Sequence, residues 1–170
     1  MSVILEIKPE AGPALVVGGG AVAARKTRTL VEGGFRVTVV APELAEEIAA
    51  LPGVETFLRQ FEAADVGGQR WGLVFACTNN REVNRLVGEL ARQRGIPVLV
   101  ADSQEESTFT SPATYRDGGL QVAVSTGGAD PALARSIRER VVAAIGEGWA
   151  ERIASARQAR RARLEAEDDS

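Results

Sequence analysis

The places best suited to chemistry in this chain include three that carry no side chain. Gly18, Gly19 and Gly20 stand in a row between an apolar run, ALVV at 14–17, and a segment of helical spacing at 21–33. Gly18, Gly20 and Ala23 form G-x-G-x-x-A, and the β-branched run RVTVV at 36–40 ends about 20 residues on. In a strand-turn-helix setting Gly18 permits a tight turn and Gly20 lets a diphosphate approach the backbone. The small Ala23 lets helix and strand pack closely, and the free N–H groups of the turn, with the helix dipole, hold the anion. The chemistry implied is dinucleotide binding; the alternative is a turn that is purely architectural.

The remaining candidates lie at strand ends. The apolar run GLVFACT closes on Thr78 and Asn79, and IPVLVAD closes on Asp102. In an open α/β sheet such ends border the ligand crevice. Histidine is absent, which removes Ser-His-Asp and Cys-His catalysis and any histidine-ligated metal, so proton chemistry falls to Asp, Glu, Lys, Tyr or water. Asp102, ionised near neutral pH, is the best general base; the alternative is a loop or capping aspartate. Where an acidic residue normally meets the adenosine ribose stands Ala41, and Glu43 could substitute or could simply favour the dipole of the next helix. No Arg or Lys lies between Val37 and Glu43, which favours NAD over NADP.

A second glycine-rich turn, VSTGGADP at 124–131, follows a strand and precedes a helix. Its N–H groups could meet an anion, with Ser125, Thr126 and Arg135 as neighbours for a carboxylate-rich substrate. The alternative is a connection in which Gly127 and Gly128 supply positive φ angles. Tyr115 and Phe109 read as packing residues, and Cys77 as a buried strand thiol.

The elements that must position these residues alternate. Strands are expected at 14–17, 36–40, 54–58, 72–78 and 96–102, with helices at 21–33, 43–51 and 81–95, and a loop at 59–71. Uninterrupted apolar strands suit a parallel sheet covered on both faces. The pattern implies a Rossmann-like, doubly wound α/β fold in strand order 3-2-1-4-5. After Asp102 the period is lost over 103–119, LQVAVS at 120–125 alternates as a strand, and Asp130-Pro131 opens a helix. Leu133, Ile137, Val141, Ile145, Trp149 and Ile153 fall four apart, on a helix interrupted near Gly146 and Gly148. The expected organisation is a dinucleotide-binding domain at 1–102, a small α+β dimerisation and substrate region at 103–146, and a C-terminal helical tail at 147–170. That tail is arginine-rich, acidic at its end, and reads as a solvated helix that frays.

Bulk properties agree with one compact unit. The chain has 170 residues, 45% hydrophobic and 25% charged, with a formal charge of −3 that leaves no basic excess for nucleic acid. No apolar run reaches the roughly 20 residues that span a bilayer, and the N-terminus lacks a signal-peptide pattern. A single cysteine suits a reducing compartment, so a cytoplasmic location is expected, with no membrane partner.

Taken together, LVVGGGAVAARKTRTLVEGGFRVTVVAPE, VFACTNNREVN, VLVADSQEESTFTSPA and LQVAVSTGGADPALARSIRERV resemble precorrin-2 dehydrogenase, the NAD-binding N-terminal part of siroheme synthase, over about residues 3–146 in unbroken order. The resemblance implies NAD-dependent oxidation of the tetrapyrrole precorrin-2 to sirohydrochlorin by a homodimer, with Asp102 at the position of the catalytic aspartate and no metal assigned to the protein. It places Ala21 and Val22 near the pyrophosphate and Pro42 with Glu43 beside the adenosine. Some relatives also insert ferrous iron. Longer ones carry a further helical domain where only about 22 residues follow Gly148 here, so iron insertion is expected to be weak or left to another protein. Two other classes stay open: a nucleotide-sensing module without catalysis, and a metal chelatase that needs Asp102 but not the glycine turn.

Overall fold

The computed structural model describes residues 2–168, which fall into two compact units divided after Thr110. The larger, Leu5–Thr110, begins with a 3-10 turn at Pro9–Ala11. It continues through β1 (Ala14–Val17), α1 (Ala21–Glu32), β2 (Val37–Ala41), α2 (Glu46–Ala49), β3 (Val54–Leu58), α3 (Ala63–Gly67), β4 (Leu73–Ala76), α4 (Arg81–Gln93) and β5 (Val98–Val100). All pairings are parallel, in the order β3-β2-β1-β4-β5, as the sequence pattern implied.

The apolar runs explain the winding. Alternate residues of β1 enter opposite faces: Ala14 and Val16 pack with Ala23, Leu30 and Ile48 beneath α1 and α2, while Leu15 and Val17 pack with Val66, Val87 and Ala91 beneath α3 and α4. Both faces must be apolar because both are covered. Helix α1 stops where Gly34 takes a left-handed φ of 82°, which lets the Phe35 N–H reach Leu30 O at 3.0 Å.

Three local expectations change. The stretch 59–71, expected as loop, contains α3, too short to show a period. A reciprocal cap between Glu62 and Asp65 holds it, with an Arg59–Asp65 ion pair and a 2.8 Å bond from Trp71 Nε1 to Asp65 O. Helix α2 covers Glu46–Ala49 rather than 43–51, because the backbone at 43–45 packs against the glycine turn. The Ser/Thr-rich run after Asp102 completes the edge of β5. Thr108 and Ser107 hydroxyls accept from the Val98 and Val100 N–H groups, each at 2.8 Å, and the Thr108 N–H donates to Val98 O at 2.8 Å.

In the second unit β6 (Ala113–Asp117) and β7 (Leu120–Val124) form an antiparallel hairpin, followed by α5 (Pro131–Ile145) and α6 (Trp149–Asp168). Strand β6 was masked in the sequence by its polar outward residues Thr114 and Arg116. The break between α5 and α6 falls where expected, with φ of 72° at Gly146 and 84° at Gly148. Among the described residues no helix is long and apolar enough to cross a membrane.

Candidate cofactor site

The three glycines do three different things. Gly18 has φ 121°, and a Cβ there would lie 2.4 Å from Cys77 O, so both its conformation and the close passage of the β4 end require glycine. A Cβ on Gly19 would sit 1.8 Å from Glu43 O, and Gly19 O accepts the Ala45 N–H at 2.7 Å. The sequence analysis places Gly19 in the glycine run but gives it no role of its own, since the fingerprint assigns roles only to Gly18, Gly20 and Ala23. Gly20 is extended, with φ −84° and ψ −172°, and no atom lies within 4 Å of the Cβ it lacks. Nothing in the protein requires glycine at 20.

What Gly20 borders is a cavity of about 810 Å³, a size within the range of small-molecule sites. Gly18, Gly19, Gly20, Ala21 and Val22 form one wall; Ala41, Pro42 and Glu43 another; Cys77, Thr78 and Asn79 a third. Gln60 and Phe61, from the stretch expected as loop, also reach it.

The amides fit an anion. Gly18 N–H is consumed by Val40 O at 2.9 Å, so it does not belong to the open set. The first N–H of α1 with a partner at the expected spacing is that of Ala24, which donates to Gly20 O at 2.9 Å. Those of Ala21, Val22 and Ala23 precede the helical ladder and have no acceptor within it. Helix α1 has neither a side-chain N-cap nor an acid in its first turn, so its positive end stays uncompensated. Ala23 itself is fully buried against the sheet and does not line the cavity.

The third wall is fixed by a residue the sequence reading missed. Asn84 is fully buried; its Oδ1 accepts the Thr78 N–H at 3.0 Å and lies 2.7 Å from Thr78 Oγ1, and its Nδ2 donates to Thr78 O at 3.0 Å. Its signal was a polar side chain on the face of α4 that also carries Val87 and Ala91. Asn80 caps α4 through the Glu82 and Val83 N–H groups at 3.0 and 3.2 Å. Asn79, between these anchors, is exposed on the cavity wall.

Asp102 follows β5 in an exposed turn and is not among the residues lining the cavity. Its carboxylate lies 3.9 Å from the Arg81 guanidinium, which also bonds the Glu106 carboxylate; that bond holds Glu106 below its usual range. The negative charge of Asp102 bears on Cys77, which does line the cavity. Burial is the main reason the Cys77 thiol is pushed up to about 11, which disfavours the thiolate and agrees with an inert strand cysteine.

Ser125, Thr126, Gly127 and Arg135 belong to the other unit. There the Asp130 carboxylate accepts the Ala132 and Leu133 N–H groups at 2.7 and 3.1 Å, so the end of α5 is already capped. Thr126 Oγ1 accepts the Asp130 N–H at 3.2 Å, and Ser125 Oγ accepts that of Gly127 at 3.2 Å. Arg135 is exposed on the first turns of α5. Among the described residues no group of three or more His, Cys, Asp or Glu is placed to hold a metal ion.

A doubly wound sheet, a glycine turn at its switch point and a cavity over open helix amides define a dinucleotide-binding domain. Residues 5–113 match a family model described as "Putative NAD(P)-binding", and residues 117–144 match "Sirohaem biosynthesis protein central". The chain belongs to this NAD(P)-binding family. It is 44% identical over 136 residues to siroheme synthase 1 of Aeromonas salmonicida (strain A449), covering 78% of this chain and 29% of that protein. It is 47% identical over 130 residues to siroheme synthase of Thioalkalivibrio sulfidiphilus (strain HL-EbGR7), covering 75% and 26%. The chain thus spans under a third of the length of these relatives. Among solved structures it is similar to SirC, precorrin-2 dehydrogenase, at 27% identity and a TM-score of 0.69, covering 89% of this chain and 74% of that one.

Proposed function

We propose that this chain is an NAD-dependent dehydrogenase that oxidises precorrin-2 to sirohydrochlorin. The observation that carries the reading is Gly20: a glycine with no conformational or packing requirement, bordering a cavity beside unpaired helix amides, leaves the space a diphosphate needs. The match over 117–144 to a sirohaem biosynthesis model and the likeness to SirC supply the substrate class. A module that only senses the nucleotide has no use for that second segment.

Gly19, Gly20, Ala21 and Val22 would hold the diphosphate, Pro42 and Glu43 the adenosine, and Thr78 and Asn79 the nicotinamide side. When bound, the nicotinamide ring supplies the hydride acceptor. The oxidation removes a hydride and a proton from the macrocycle. Asp102 accepts the proton, its carboxylate standing 3.9 Å from the Arg81 guanidinium. Ser125, Thr126, Gly127 and Arg135 contribute to holding the macrocycle. NAD is preferred over NADP because no Lys or Arg lines the cavity and Glu43 does, so a 2′-phosphate would meet an acid and no cation. Arg59, close in sequence to Gln60, is engaged by Asp65 at 2.9 and 2.5 Å.

The working form is a homodimer in the cytoplasm. In the unit formed by 2–4 and 111–168 only Ala134 is a buried hydrophobic residue, while Leu133 and Ile137 on α5 are 50% and 36% exposed. An isologous contact through α5 and the hairpin would cover them.

Precorrin-2 generated in situ and followed anaerobically by absorbance, with NAD and with NADP, tests substrate, reaction and cofactor together. Conversion to sirohydrochlorin with NAD and little with NADP is expected; no oxidation with either overturns the reading.

A further inference from the structure

The end of β4 is followed by three polar residues in a row, Thr78, Asn79 and Asn80, and all three border the cavity. Two of them are spent on the protein itself. The Thr78 hydroxyl lies 2.7 Å from Asn84 Oδ1 and 2.9 Å from Asn80 O, and it accepts the Asn80 N–H at 3.1 Å. A hydroxyl has one proton, so Thr78 has no donor left for a ligand. Asn80 Oδ1 caps α4 by accepting the Glu82 and Val83 N–H groups, which occupies its oxygen and fixes the direction of its amide. Asn79 differs: it is exposed, and among the described residues no hydrogen bond engages its side chain. On this wall it alone keeps both a free amide oxygen and a free NH2 group.

The buried residue beneath produces this division. Asn84 accepts the Thr78 N–H at 3.0 Å and donates to Thr78 O at 3.0 Å, so it grips the backbone on both sides of Thr78 as well as its hydroxyl. With Asn80 fixed as the helix cap, Asn79 stands between two anchored neighbours. An amide held in this way loses less freedom on binding than one on a loose loop.

The sheet order says what reaches this wall. Strands β2 and β4 flank β1 on opposite sides, and the glycine turn follows β1. With the diphosphate on the α1 amides and the adenosine against Pro42 and Glu43 beyond β2, the dinucleotide crosses β1 and its nicotinamide end arrives beyond β4. That ring carries a carboxamide, an acceptor oxygen beside an NH2 donor. Asn79 offers the complementary pair, so two amides can join through two hydrogen bonds.

We infer that the Asn79 side-chain amide binds the carboxamide of the nicotinamide ring, and that Asn84 is the positioning residue that presents it. This rests on the cofactor placement of the proposed function and adds to it a selectivity: a coenzyme whose ring substituent lacks the NH2 group binds less well. Holding the carboxamide also stops the ring turning about its glycosidic bond, which keeps one face toward the substrate.

Three ligands titrated calorimetrically into the full chain separate the parts: NAD, 3-acetylpyridine adenine dinucleotide, whose methyl ketone has no NH2, and ADP-ribose, which has no ring. The wild type should prefer NAD over the acetylpyridine analogue by about fivefold. In N79A that preference should disappear through weaker NAD binding, with ADP-ribose affinity within twofold. N84D keeps an oxygen for the Thr78 N–H but cannot donate to Thr78 O. It should lose most of the preference while ADP-ribose binding again holds, a split that general loosening of the fold would not give, and added to N79A it should change the preference no further. Asn84→Ser provides the same comparison if the buried carboxylate prevents folding. A preference that survives in N79A overturns the carboxamide assignment, and one that survives in the Asn84 variants overturns the positioning role. ADP-ribose binding that weakens in parallel with NAD overturns both roles. Equal affinity of the wild type for the two dinucleotides overturns the inference and leaves the dehydrogenase reading intact. A wild type that binds none of the three ligands overturns that reading as well, and the failure appears before any substitution.

Discussion

Every residue of β1 and β2 in the Leu5–Thr110 unit is buried, whereas among residues 111–166 only Ala134 is. The first region closes its own core on both faces of a five-stranded sheet. The second is a two-stranded hairpin with two helices, and a hairpin of that size is at best marginal alone. The contrast teaches how differently the two regions are built: the self-contained region holds a preformed cavity, and the open region leaves apolar side chains such as Leu133 and Ile137 exposed.

Gly19→Val offers the most severe way to break that contrast. The turn is packed so closely against Glu43 that a side chain cannot fit without moving backbone. We expect a loss of about 3 kcal/mol or more, read by thermal or urea unfolding. An unchanged midpoint would mean that the closed region is looser than described.

Replacing Leu133 and Ile137 by Asp addresses the open region. Dimer should give way to monomer in sedimentation equilibrium, at a cost to association of about 2–4 kcal/mol, with NAD affinity within twofold. A mass unaltered by the substitutions would place the interface elsewhere.

Glu43→Arg is a milder change within the cavity of the closed region. It should shift preference toward NADP by about tenfold, or roughly 1.4 kcal/mol, measured as the ratio of kcat/KM for the two cofactors. No change in that ratio would remove Glu43 from the adenosine side.

The smallest effect concerns Asp65. The Arg59 hydrogen bond, outweighing burial, holds its carboxyl below the usual value. A depressed carboxyl adds stability above the unfolded pKa of about 3.9 and loses it as pH falls through the folded value. Asp65→Asn should therefore cost about 0.5–1.5 kcal/mol at neutral pH, and the difference from wild type should vanish under strong acid. Equal stability at pH 7 would show that the α3 cap contributes nothing.

The sheet was legible because β1, β2 and β4 are uninterrupted apolar runs between clear breakers, and burial on both faces leaves no other reading of them. Strand order followed from the same alternation. Helix α3 and strand β6 were not legible: one is held by Arg59, Asp65 and Trp71 contacts with no period of its own, and the other alternates with Thr and Arg outward. At the candidate site the glycine pattern pointed to the turn but not to its division of labour. Only the backbone path shows that Gly18 and Gly19 serve packing while Gly20 does not. Asn84 stayed hidden because its meaning lies in burial, which a residue's type does not disclose.

The direct test of the cofactor site is calorimetric titration of NAD into the wild-type chain and Gly20→Val. The expected result is a saturable heat for the wild type and at least tenfold weaker binding in the variant, with stability lowered only by what valine costs at the helix N-cap, about 1 kcal/mol. Equal affinities, or no heat from the wild type, would contradict the claim that the bare backbone at 20 is kept for a diphosphate.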